Sequence, residues 1–297
     1  MQPYTVDHQG TTFTVHTEAV DALGEVPTWR SDEGALYWID VRKPCLYRLD
    51  LVTRELRSWA MPQTVGTYVF QRDGRLLVGL QTGMGLFNLE TGETTMLSDT
   101  YADQPDMRFN DGHCDRQGRL WIGTMDNLKR APAGVLFRVD DRGLVQVADQ
   151  VLVPNSLSFS PDGTVMYFSD AREPAIWAFD LDPATGEVGN RRLFARMQSG
   201  GMPDGATVDA EGYVWSTQYG AGRIDVFAPD GTLARVVPVP AVQPTCVAFG
   251  GEDMRTLFIT TGRQHMSADA LKADPLAGAL LSMQTEVPGL EETPYAF

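Results

Sequence analysis

Four oxygen-bearing side chains, Glu25, Asn110, Asn155 and Asp204, each stand 11 or 12 residues before a large aromatic residue: Tyr37, Trp121, Tyr167 and Trp215. The same count places Val65 before Leu77 and Cys246 before Phe258. Two carboxylates and two amides converging at one structural level form a hard-oxygen set. Such a set suits Ca, Mg, Mn or a borderline ion such as Zn or Fe, with water completing the shell. Turn preference explains Asp204 in PDG and Asn110 in NDG, because Asn and Asp before Gly favour tight turns. It does not explain Glu25 in LGEVP or Asn155 in VPNS at the matching position.

Other reactive side chains carry less. His113 lies three residues beyond Asn110, and strand alternation turns it into a blade rather than toward chemistry. His8, His16 and His265 have no partner spacing and read as surface residues. Cys246 lacks a neighbouring base in sequence and reads as a small apolar wall of the site, not a nucleophile. The 12 methionines read as core filling, with Met125 and Met202 beside the site motifs as pocket walls.

The elements that must hold these residues follow from a repeat. Six segments share a turn with Gly or Asp, a burst of large apolar residues, and a small or polar residue: SDEGALYWID, RDGRLLVGL, RQGRLWIGT, PDGTVMYFSD, AEGYVWSTQ and EDMRTLFIT. Aligned on Tyr37, Leu77, Trp121, Tyr167, Trp215 and Phe258, they recur after 40, 44, 46, 48 and 43 residues. That is the period of a propeller blade. A second alternating segment follows each burst, from CLYRLDLVTREL to GALLSMQTEV, and most end in turn chemistry such as ETGE, PATGE or PDG. The expectation is an all-β, six-bladed β-propeller with an axial divalent-metal site. A β-sandwich would show turns every ~8 to 12 residues without the longer repeat. The segment FTVHTEA is expected to supply the strand that closes the ring, removing an open edge.

No linker interrupts the repeat, so 1–297 reads as one domain. The longest apolar runs are far short of the ~20 residues a membrane helix needs, and the first residues show no basic segment followed by an apolar core. Three scattered cysteines, Cys45, Cys114 and Cys246, argue against a disulfide framework and for a reducing cytoplasm. A formal charge of −15 argues against nucleic acid, which requires a basic patch. A monomer or small homo-oligomer is expected.

LGEVPTW, LYWIDV, RFNDGHCD with GRLWIGTM, VPNSLSFSPDGTVMYFSD, PDGATVDAEGYVW, QYGAGRIDVFAPDG and DPLAGALLSM together resemble the SMP-30/gluconolactonase family, also called the regucalcin family, over essentially the whole chain. The resemblance implies one divalent metal ion (Ca, Zn, Mn, Mg or Fe(II)) held by Glu25, Asn155 and Asp204, the same positions that the count selects. It implies substrate contacts by Arg108 and Asn110 of RFNDG, and hydrolysis of a sugar lactone to its aldonic acid with Asp204 as general base. A sugar-contacting Glu of animal members is absent here. Its place falls in TMDNLKRAPAG, where Asp126 and Asn127 precede Leu128 and where Lys129 and Arg130 could receive an anionic substrate group. The alternatives are a hydrolase of other esters or organophosphates on the same metal, or a calcium-binding regulatory protein without turnover.

Overall fold

The computed structural model describes residues 1–128, 131–170, 173–198 and 200–297. Among these, every sheet is antiparallel, and contacts divide the chain into two compact units.

The first unit comprises Met1–Ser58 and Met197–Glu291. It opens with β1 (Tyr4–His8) and β2 (Thr11–Val15). Next comes the sheet β3 (Gly24–Arg30), β4 (Ala35–Asp40), β5 (Cys45–Asp50) and β6 (Leu56–Ala60), apart from the end of β6. The second unit comprises Trp59–Arg196 and Glu292–Phe297. Its first sheet is β7 (Val65–Phe70), β8 (Leu76–Leu80), β9 (Met84–Phe87) and β10 (Thr94–Met96). Its second is β11 (Met107–Cys114), β12 (Leu120–Asp126), β13 (Gly134–Asp140) and β14 (Gly143–Val151). Its third is β15 (Pro154–Phe159), β16 (Val165–Asp170), β17 (Ala175–Leu181) and β18 (Val188–Arg196). The first unit resumes with β19 (Met202–Val208), β20 (Val214–Tyr219), β21 (Arg223–Phe227) and β22 (Leu233–Pro238). It ends with β23 (Pro244–Gly250), β24 (Thr256–Thr261), the short helix α1 (Ala268–Ala273) and β25 (Leu281–Gln284).

The repeat is visible in each sheet. Every apolar burst is the second strand, buried along nearly its full length. The turn before it uses a glycine with positive φ: Gly34, Gly74, Gly118, Gly163, Gly212 or Gly251. Glycine adopts that geometry without a Cβ penalty. Fourth strands such as β6 and β18 are largely exposed.

The first strands and the last strand of the chain share a sheet, ordered β1-β2-β25-β24-β23. Thr14 pairs with Ser282 and Val15 with Leu281, so FTV does add a strand to the C-terminal sheet. Beside this seam His16 is buried, contrary to its reading as a surface residue. Its Nε2 lies 2.8 Å from Ser282 Oγ, and Arg54 Nη1 lies 3.2 Å from its Nδ1. Arg cannot accept, so Nδ1 is the acceptor and the ring proton sits on Nε2, donated to Ser282. That polarity leaves Ser282 without a base and makes the contact a structural clasp.

Candidate active site

The strand that precedes each burst carries the selected position, and it is distorted there in all six sheets. Pairing with the second strand shifts between Glu25 and Thr28, Val65 and Thr67, Phe109 and Gly112, Asn155 and Ser158, Pro203 and Ala206, and Pro244 and Cys246. A bulge of this kind bends a strand and re-aims a side chain. The residues following Glu25 and Asn155 are also left-handed, Val26 at φ 50° and Ser156 at φ 57°. A non-glycine residue in that region costs on the order of 1–3 kcal/mol, and such strain clusters at functional sites.

In the second unit the structure brings Arg108, Asn110, Asn127 and Asn155 into one hydrogen-bonded chain. Arg108 is buried, and its Nη1 donates to Asn110 Oδ1 at 2.6 Å and to Phe109 O at 2.9 Å. Its Nε donates to Asn127 Oδ1 at 3.0 Å. Asn110 Nδ2 then donates to Asn155 Oδ1 at 3.0 Å and to Pro154 O at 2.8 Å. An amide oxygen has two lone pairs, so Asn155 Oδ1 can accept this bond and still bind a cation. Asp126 is buried and caps the Leu128 amide at 3.0 Å, a turn role. Leu128 itself is exposed. Lys129 and Arg130 lie outside the described residues.

In the first unit Glu25 is half-buried on β3 and Asp204 is buried on β19. β23 packs against both strands. Thr245 Oγ1 donates to Gly24 O, and a Cβ at Gly205 would lie 2.3 Å from Cys246 Sγ. Glycine beside Asp204 is therefore required by close approach of β23. Cys246 is buried. Met125 is buried too, and Met202 is half-buried.

Some titratable groups went unrecognised in sequence. Burial pushes the Asp21 carboxyl up to about 7, assisted by Asp40 and opposed by the Trp38 indole, which donates to it at 2.9 Å. His113, expected to turn into a blade, meets Glu292 at 3.2 Å. No local pattern foretells either, since the partners come from distant segments.

Residues 23–263 match the family described as SMP-30/Gluconolactonase/LRE-like region. A solved calcium-binding protein, regucalcin from Agrobacterium tumefaciens, superposes with a TM-score of 0.91 at 32% identity, covering 95% of this chain and 97% of its own. The fold is accordingly that of an all-β six-bladed propeller. The 6-deoxy-6-sulfogluconolactonase of Pseudomonas putida is 39% identical, covering 92% of this chain and 95% of its own length. The L-arabinolactonase of Azospirillum brasilense is 36% identical, covering 97% of each. The chain belongs to the SMP-30/gluconolactonase family.

Proposed function

We propose that the protein is a sugar lactonase, hydrolysing an aldonolactone to the aldonic acid with a divalent ion held by Glu25, Asn155 and Asp204. The observation that carries the reading is the Arg108–Asn110–Asn155 chain, which ties a guanidinium to an amide oxygen of the ligand set. The relatives named as lactonases support the substrate class. The donor set also fits an ion: it is oxygen only, and two of its members precede left-handed residues that re-aim them. Among the described residues no three His, Cys, Asp or Glu side chains gather as a metal group. The proposed set instead joins two carboxylates to one amide oxygen.

When bound, a divalent ion supplies Lewis-acid polarisation of a carbonyl and a more acidic water. The chain's own residues do the rest. The Asp204 carboxylate takes a proton from the water that adds to the lactone carbonyl carbon. It returns that proton to the ring oxygen as the C–O bond breaks, leaving a hydroxyl and a carboxylic acid. Arg108, whose Nε and Nη1 donate to Asn127, Phe109 and Asn110, holds the Asn127 and Asn110 amides fixed where the ring hydroxyls would bind. Asn110 holds Arg108 and Asn155 in register, which keeps the reacting bond oriented.

A substrate with a sulfonate or carboxylate is the second reading. The Pseudomonas putida relative is named for a sulfonated lactone, and Lys129 and Arg130 are adjacent cations in an acidic chain. The deciding experiment is acid release from neutral, carboxylated and sulfonated lactones by chelator-stripped protein with Ca, Mg, Mn, Zn or Fe(II) restored. Ion-restored hydrolysis above the spontaneous rate is expected. No acceleration with any ion would overturn the lactonase reading in favour of another ester or a binding role.

A further inference from the structure

The last six residues of the chain belong to the second unit and dock beside β11. Tyr295 N donates to Phe70 O at 2.7 Å, and Ala296 N donates to Gly118 O at 3.0 Å. The Tyr295 ring is buried in the cluster that contains Cys114, Leu120 and Val139. Gly118, at φ +86°, leaves room for this docking, since a Cβ there would fall 2.5 Å from Ala296 Cβ.

Glu292 opens the docked segment. Its Oε2 lies 3.2 Å from His113 Nδ1, and His113 stands in the field of Asp111. Asp111 is buried, and its Oδ2 accepts the Leu157 amide at 3.0 Å. Leu157 follows the left-handed Ser156, which follows Asn155. Asp111 also follows Asn110 directly. Burial would pull the His113 imidazole down, but Glu292 and Asp111 outweigh it and raise it to about 9. Burial raises the Asp111 carboxyl against the pull of His113 and the Leu157 and Gly112 amides. Arg116 also faces Glu292, while donating to the Ser160 and Phe159 carbonyls.

We infer that the C-terminal tail is a positioning element of the site: Glu292 fixes the His113 ring, His113 balances the Asp111 carboxylate, and Asp111 pins the bulge that aims Asn155. A buried carboxylate left without a counter-charge is costly, so Asp111 at the bulge requires a cation. An imidazole keeps one orientation when a carboxylate holds its other nitrogen. With Glu292 in place, Asp111 stays on the Leu157 amide and does not swing to His113. The strained Ser156 backbone then has a fixed partner one residue away.

The inference rests on Asn155 serving the proposed ion, so its test separates the two. Full-length protein is stripped with chelator, titrated with Ca by calorimetry, and followed by amide hydrogen exchange at Leu157. Glu292→Gln is expected to weaken Ca about 10-fold, the low end for partners behind a ligand, with Leu157 exchange about 10-fold faster. Tm should fall by only about 4 °C, with exchange away from Leu157 unchanged. Glu292→Asp should recover most of both effects, and Glu292→Gln should add nothing in a His113→Gln background. Unchanged Leu157 exchange would overturn the inference. So would a uniform rise in exchange along the chain with a larger fall in Tm, which would make the tail a stabilising strap alone. Absence of lactone hydrolysis by wild-type protein would overturn the proposed function and leave the exchange result to decide this one.

Discussion

Acidification should loosen the seam between the chain ends, and His16 should account for much of it. Burial first, and then the adjacent Arg54 guanidinium, lower the His16 imidazole from 6.5 to about 4. The folded protein thus keeps a neutral ring where the unfolded chain would protonate. The stability held by this neutral ring is complete above pH 6.5 and is lost as pH falls toward 4, because the unfolded state then binds the extra proton. The gap between 6.5 and about 4 is worth about 3 kcal/mol in full, and about 2 kcal/mol of it is gone by pH 5. His16→Gln keeps a side-chain N–H for Ser282 Oγ, now at 2.8 Å from His16 Nε2, and removes the titration. Urea unfolding of both proteins at pH 7.5, 6 and 5 measures the difference. The wild type should lose about 2 kcal/mol more than the variant between pH 7.5 and 5. Parallel pH profiles for the two proteins would refute the assignment of a neutral, buried His16.

Asp21 should act in the opposite sense: its carboxyl is raised from 3.8 to about 7, so the stability it contributes is present at low pH and lost as pH rises through 7. Asp21→Asn, which still accepts from Trp38, should therefore raise the urea midpoint at pH 8 and change little at pH 4. Asp204→Ala should abolish lactone turnover and most ion binding, since it removes a ligand and the proposed base together; retained turnover in the acid-release assay would remove Asp204 from the mechanism. Asn110→Ala breaks the bonds to Arg108, Asn155 and Pro154. At about 1–3 kcal/mol for the partners left unpaired, kcat/KM should fall about 10- to 100-fold. Gly205→Ala places a Cβ 2.3 Å from Cys246 Sγ and 2.7 Å from its Cα, so β19 or β23 must shift. Overpacking of this kind costs about 1–3 kcal/mol, readable as a lowered Tm.

The bursts were legible because each is a second strand buried on both faces, which writes a continuous apolar run into the sequence. Asp and Gly in the preceding turns were legible for the same local reason. The exposed fourth strands were not, since β6 and β18 carry mixed polar residues that a loop would also tolerate. His16 was misjudged because its partner Ser282 lies 266 positions away, beyond the reach of any spacing rule. The partnership of His113 with Glu292 escaped for the same reason. Asn110 was assigned to the substrate on its motif, and the structure adds that both of its donated bonds reach the strand of Asn155.

The position count succeeded for a reason deeper than the count itself. What repeats six times is a backbone distortion, a register shift near the start of each first strand. A repeated bulge gives every sheet the same opportunity to aim a side chain, and the side chain then decides whether that opportunity becomes chemistry. At the counted position four sheets carry a carboxylate or an amide: Glu25, Asn110, Asn155 and Asp204. In the other two, Val65 and Cys246 are buried and apolar. Chemistry is thus separable from fold in this architecture, because exchanging the side chain at a bulge need not disturb the turn and burst that hold the strand. The left-handed Val26 and Ser156 mark the limit of that freedom. Next to Glu25 and Asn155 the backbone itself is committed, and the surrounding sheets must supply the energy that holds it there.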